Sequence, residues 1–223
     1  MCPIRRIIVP IEQLIEQLFR HFATMNKTDK NMNRQIQLPI VGTHNSMTFL
    51  RPACWYGWLM IPFARCQRKD IVQQFSSGAR CFDLRVRFRK DGTPVFAHGL
   101  MELKGDVYSE MRFLDKTVRN LRTPIYVRLI LEDPKAQRHN EIYFRMLCEN
   151  VHTEFPSLTF FGGNRKGDWK QICDFPCKPR LVQCVGSMAD DARWYEKIIP
   201  WFYARRCNKR YKPQDEITIY DFL

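Results

Sequence analysis

What this chain lacks already narrows its function. It has no long apolar run: the longest nearly uncharged stretch, Pro52 to Ala64, falls well short of the roughly 20 residues that a transmembrane helix needs. It has no Cys-x-x-Cys pair. Of nine cysteines only Cys173 and Cys177 lie close, with Pro176 between them, and no second pair completes a zinc pattern. An odd number of thiols, several in apolar strand-like runs such as those of Cys81 and Cys184, suits a reducing compartment. No secretory leader is expected either, because Glu12 interrupts the apolar residues that follow Arg5 and Arg6. No repeat or low-complexity tract is visible. The expected location is cytoplasmic or peripheral to a membrane.

Acidic residues are outnumbered. Thirty-six Lys and Arg against 23 Asp and Glu leave a formal charge of +13, which favours nucleic acid, anionic lipid headgroups or phosphorylated small molecules as partners. With 223 residues, 45% of them hydrophobic and 13% aromatic, the chain can bury a sizeable core and is not intrinsically disordered.

Residues 11–23 repeat apolar side chains at Ile11, Leu14, Ile15, Leu18, Phe19 and Phe22, a helical spacing. A polar linker follows at 26–34. The expected organisation is therefore an N-terminal amphipathic helix and linker (1–34) and a single domain (35–223). Within that domain, strands are expected at 38–41, 79–88, 94–97, 124–131, 158–161, 180–185 and 216–220, with an Asp91-Gly92 turn. Helices are expected at 70–75, 107–121 and 136–151. Such alternation argues for a parallel sheet with helical crossovers, whose polar strand ends gather at one mouth.

Three strands end in unusual polar residues: Thr43-His44-Asn45-Ser46, Asp83-Leu84-Arg85-Val86-Arg87 and Ala97-His98-Gly99. On the second, the two-residue period places Asp83, Arg85 and Arg87 on one face. His44, Asp83, Arg85 and His98 at one mouth would suit phosphodiester cleavage. One imidazole takes a proton from an attacking hydroxyl and the other protonates the leaving oxygen. A guanidinium between them offsets the developing phosphoryl charge, and a carboxylate beside each ring would fix its tautomer. His21, His139 and His152 lack such surroundings and are taken as structural.

The segments Pro39–Phe49 (PIVGTHNSMTF), Gln67 to Gln74, Gly78 to Arg85 and His98-Gly99 resemble the X domain of phosphatidylinositol-specific phospholipase C, most of all its bacterial, metal-independent branch. The resemblance implies an α/β fold, a distorted (β/α)8 TIM-like barrel. It implies a phosphoric diester hydrolase or lyase in which the inositol 2-hydroxyl attacks phosphorus, releasing diacylglycerol and a cyclic inositol phosphate. His44 would then be the general base, His98 the general acid, Arg85 the phosphate holder and Asp83 its orienter. The family's last-strand Asp, supporting the base, corresponds to Asp221. No cofactor and a monomer are implied.

Two departures stand out. Asn45 replaces the bacterial branch's Asp and resembles the calcium-dependent branch, where Asn45, Asp83 and Glu132 would form the oxygen cage; Arg85 would repel that cation. The chain also stops two residues after Asp221, so the barrel is expected to lack its last helix. A lipid substrate requires interface contact, assigned to Trp55 and Trp58 in the Cys54–Phe63 run and to Trp201 in the Arg193–Arg206 run. Arg128 and Arg180, on later strands, are candidate headgroup contacts. The alternatives are a ribonuclease-like phosphodiesterase, with nucleic acid the less favoured partner, and an inactive basic module that binds anionic membranes.

Overall fold

The computed structural model describes residues 38–164, 171–176 and 178–223. The expected N-terminal helix and linker lie outside the described residues. The elements run β1 (Ile40–Thr43), α1 (Trp55–Ala64), α2 (Ile71–Ser76), β2 (Cys81–Phe88), β3 (Pro94–His98), β4 (Met101–Glu102), α3 (Val107–Leu121), β5 (Tyr126–Leu131), α4 (Arg138–Glu154), β6 (Thr159–Asn164), β7 (Ile172–Cys173), β8 (Arg180–Cys184), α5 (Trp194–Ile198), α6 (Pro200–Cys207) and β9 (Glu216–Tyr220).

Six strands are parallel neighbours in the order β6-β5-β2-β1-β9-β8. Three strands are antiparallel additions: β3 on β2, β4 on β3 and β7 on β6. The Asp91-Gly92 turn accounts for β3, because so short a connection can join only antiparallel strands. In a flat sheet, β5 and β8 would stand about 19 Å apart, four strand spacings. Yet Arg128 Nη1 on β5 donates to Gln183 Oε1 on β8 at 3.1 Å, so the sheet is curled. It is the mixed α/β arrangement of a distorted TIM-like barrel.

The curl gives the strands two different faces. Outward, Phe82, Leu84 and Val86 of β2, Val127 and Leu129 of β5 and Phe160 of β6 pack with α3 and α4. Those helices contribute Val107, Met111, Leu114 and Val118, and Phe144, Leu147, Cys148 and Val151, each set at helical spacing. Asp106 caps α3, its Oδ1 accepting from Ser109 N at 2.6 Å. A reciprocal Asp70–Gln73 box starts α2. Inward, the alternate residues of the same strands include Asp83, Arg85 and Arg128. Gly42 lets β1 approach β2 closely: a Cβ there would lie 2.7 Å from the Cys81 carbonyl oxygen. Among the described residues no helix is long and apolar enough to cross a membrane.

Candidate active site

Every inward polar group at the C-terminal end of the sheet has a definite partner. His44 follows β1, where its backbone N–H donates to the Tyr220 carbonyl of β9 at 2.8 Å. Asp221 follows β9 and accepts from His44 Nδ1 at 2.7 Å. Arg85 Nη2 lies 2.7 Å from His44 Nε2, and Asn45 Nδ2 lies 3.3 Å from the same atom. A guanidinium can only donate. His44 is therefore the tautomer with its proton on Nδ1, given to Asp221, and a lone pair on Nε2.

Asn45 is left-handed, with φ 44°, a conformation that Asn tolerates better than most residues. Its backbone N–H donates to Asp83 Oδ2 at 3.0 Å. Arg85 Nε donates to the same oxygen at 3.2 Å, and Arg128 Nη1 donates to Oδ1 at 3.4 Å. Burial alone would raise the Asp83 carboxyl. The guanidiniums of Arg85 and Arg128 outweigh it and hold the group well below the usual carboxylate range.

Glu132, one step beyond β5, has a different role from the calcium ligand that the alternative resemblance implied. Its Oε2 accepts from Arg85 Nη1 at 3.1 Å, and its Oε1 from Gly99 N at 3.1 Å. Arg85 is thus held on three sides, by Asp83, Glu132 and His44. The residue set does not fit calcium: the guanidinium stands between Asp83 and Glu132, which already neutralise it. Another group could converge on an ion. His44, Cys66 and Asp221 each bring one ligand atom within 4.8 Å of the others. Burial, then the Asp221 charge, pushes the Cys66 thiol well up, so the sulfur stays protonated and ion binding would displace the Nδ1 proton of His44.

His98, at the end of β3, faces His44 edge-on with ring centroids 6.4 Å apart. Its tautomer partner is not a carboxylate as expected. Nδ1 donates to the carbonyl of Ala64, the last residue of α1, at 2.6 Å, so Nε2 is the atom left to act. Burial, followed by the charges of Arg85 and His44, lowers its pKa to about 4. The next residue, Gly99, has φ 57°, which turns the chain so that its N–H reaches Glu132.

Two expected residues stand elsewhere. Arg180 opens β8 and pairs in register with Glu216 at the start of β9, at the opposite end of the sheet from Asp221. Its Nε lies 3.7 Å from the Glu216 carboxylate, and it is not part of the group. Trp201 is half-buried with the Arg205 guanidinium over its ring at 5.3 Å, whereas Trp194, Ile198 and Phe202 are the exposed large apolar side chains of that region. Asn45 contacts His44 and not His98, so it does not take up the acid-assisting place of the Asp that it replaces. Trp55 and Trp58 are 77% and 53% exposed, and Leu59, Met60 and Phe63 stand out with them; only Gly57 and Ala64 of α1 are buried.

Sequence reading also missed Gln67 as a site-building side chain. Its Nε2 donates to the carbonyls of both His44 (3.1 Å) and Tyr220 (2.8 Å), which ties the ends of β1 and β9 together. The signal was present only as its place inside the family-like segment.

No family model and no curated protein matches the chain. Solved structures do. Phosphatidylinositol-specific phospholipase C from Listeria monocytogenes is similar, with a TM-score of 0.58 and 18% identity, over 83% of this chain and 88% of that one. A double mutant of the Staphylococcus aureus enzyme gives 0.56 and 15%, over 82% and 84%. A pentafluoro-Phe form of the same enzyme gives 0.55 and 14%, over 89% and 90%. The fold is that of bacterial phosphatidylinositol-specific phospholipases C.

Proposed function

We propose that this protein is a phosphodiesterase that cleaves phosphatidylinositol-type lipids by general base and acid catalysis. The observation that carries the reading is the arrangement of His44 and His98 edge-on across Arg85, with Asp221 behind His44. The Nε2 lone pair of His44 takes the proton of the inositol 2-hydroxyl as that oxygen bonds to phosphorus. The bond from phosphorus to the glycerol oxygen breaks, and His98 Nε2 delivers a proton to the leaving diacylglycerol. Arg85 offsets charge on the phosphoryl oxygens, and Asp83 and Glu132 hold its plane. Arg128 contributes charge deeper in the barrel. No metal ion enters the scheme.

His98 poses a condition. With a pKa of about 4, it is neutral at pH 7 and carries no proton on Nε2. A bound phosphodiester supplies the negative charge that raises it, so substrate binding is accompanied by proton uptake at this ring.

The exposed apolar face of α1 favours a lipid substrate over RNA. Trp55, Trp58, Leu59, Met60 and Phe63 suit the headgroup and acyl boundary of a bilayer and offer little to a polyanionic strand. Trp194 and Phe202, which follow β8, are exposed as well. The Staphylococcus enzyme, similar in fold, is described as binding membranes.

The deciding assay offers phosphatidylinositol vesicles, in EDTA and separately with added calcium, and RNA as a control. EDTA-resistant release of cyclic inositol phosphate is expected. Release only with calcium, cleavage of RNA alone, or vesicle binding without turnover would each overturn the reading.

A further inference from the structure

A cavity of about 470 Å³ opens between the β2–β3 hairpin, β4, the loop from Asp133 to Gln137 and Tyr56 of α1. It belongs to none of the chemistry described above. Its lining carries four cations: Arg87, Arg89, Lys90 and Lys135. Two carboxylates also line it, and both are already engaged. Glu102 lies 3.6 Å from Arg87 and 3.5 Å from Arg89. Asp133 accepts from the backbone N–H of Lys135 at 3.3 Å and of Gln137 at 2.6 Å.

Arg87 is fixed at the floor. Its Nη1 donates to the Gly99 carbonyl at 3.1 Å, and its side chain is largely buried. Lys90 and Lys135 are exposed at the rim, and among the described residues neither takes part in an ion pair. The first turn of the 17-residue helix α4 also opens here, through Gln137 and His139, and adds its positive pole. Such a cavity suits a phosphate group rather than an apolar or cationic ligand.

We infer that this cavity binds the phosphate of a second, non-substrate anionic phospholipid. The inference rests on the reading that the mouth faces a bilayer. Its position supports a lipid source: Tyr56 belongs both to the cavity wall and to the exposed face of α1, beside Trp55 at a ring distance of 6.2 Å. A headgroup held there would lie alongside the apolar anchor. Lys90 and Lys135 supply charge where the headgroup enters, and Arg87 closes the floor.

The test measures vesicle binding without turnover, on phosphatidylcholine vesicles with and without phosphatidylglycerol, for the wild type, the double variant Lys90→Ala with Lys135→Ala, and a charge-matched control. The control, Lys116→Ala with Arg145→Ala, removes exposed cations from α3 and α4. Thermal melts confirm that all three are folded. The cavity variant should lose about thirtyfold in affinity for the phosphatidylglycerol vesicles, and the control about threefold or less. Equal losses in both variants would reduce the effect to net charge and overturn the assignment, as would no loss in the cavity variant. Calorimetry with inorganic phosphate alone separates the sources. Weak, millimolar binding leaves the lipid assignment standing, whereas micromolar binding lost in the cavity variant would give the cavity to a soluble phosphate ester. Because phosphatidylinositol is absent, failure here leaves the catalytic reading untouched. Turnover of phosphatidylinositol in detergent tests that reading separately.

Discussion

His44 and His98 are the same side chain facing the same guanidinium, yet the structure builds them in opposite ways. His44 sits in the parallel sheet, held by Asp221 from β9, Arg85 from β2 and, through its carbonyl, Gln67. His98 ends an antiparallel hairpin strand and takes its orientation from a single carbonyl at the end of α1, a helix whose other side chains are mostly exposed. The proposed base is thus held by the sheet, and the proposed acid depends on an element that packs little of its surface against the protein. Elements with few buried apolar contacts lie at the low end of local stability. Under the proposed scheme, the acid is therefore the half of the machinery tied to the exposed helix.

The bluntest way to break this comparison is to remove each ring. His44→Ala and His98→Ala should each lower release of cyclic inositol phosphate from vesicles by roughly a thousandfold; activity within a few-fold of wild type for either would end the scheme. Next come the two carboxylates. Asp221→Asn leaves the size of the side chain but removes the fixed acceptor for Nδ1–H, and a loss of about a hundredfold in kcat is expected, larger than that of Glu132→Gln. A greater loss for Glu132→Gln would mean that the hairpin, not the sheet, sets the catalytic geometry. Smaller again, Trp55→Ala with Trp58→Ala should weaken vesicle binding about tenfold. Turnover on vesicles should fall much more than on soluble cyclic inositol phosphate; equal losses would separate α1 from the membrane.

The smallest effect sharpens the contrast by titration. NMR of the His98 ring in the free protein should show it titrating near pH 4, and Arg85→Ala should move it upward. A free-protein value near 6.5 would remove the burial argument. The sign for stability follows. An unfolded His98 has a pKa of about 6.5, so between that value and about 4 the unfolded chain binds a proton that the folded one does not. The His98 contribution is present above the unfolded pKa and lost as pH falls toward 4.

Much of the site was legible because two-residue alternation survives in a strand. Asp83 and Arg85 share the inward face that their spacing implies, and helix α3 and strand β9 fall where the apolar pattern and β-branching place them. The parts that were not legible depend on main-chain groups and register. The Ala64 carbonyl has no signature of residue type, and the Gln67 partners lie 23 and 153 positions away. Arg180 shows the converse failure: strand membership was legible, but only its register against Glu216 reveals that it stands at the wrong end. Glu132 was noticed for its oxygen atoms, whereas its neighbours give it the work of steadying Arg85 and the Gly99 turn.

The short contact between Arg85 Nη2 and His44 Nε2 has an outcome for the order of events. The lone pair that the proposed scheme needs as proton acceptor is covered by the group proposed to grip the anion. An arriving phosphodiester that draws this nitrogen toward its own oxygens uncovers the imidazole in the same movement. Lysine at position 85 would keep the charge but lose the fork that links grip and release. With arginine there, the proposed reactivity is triggered by the substrate itself and stays latched until a phosphate arrives.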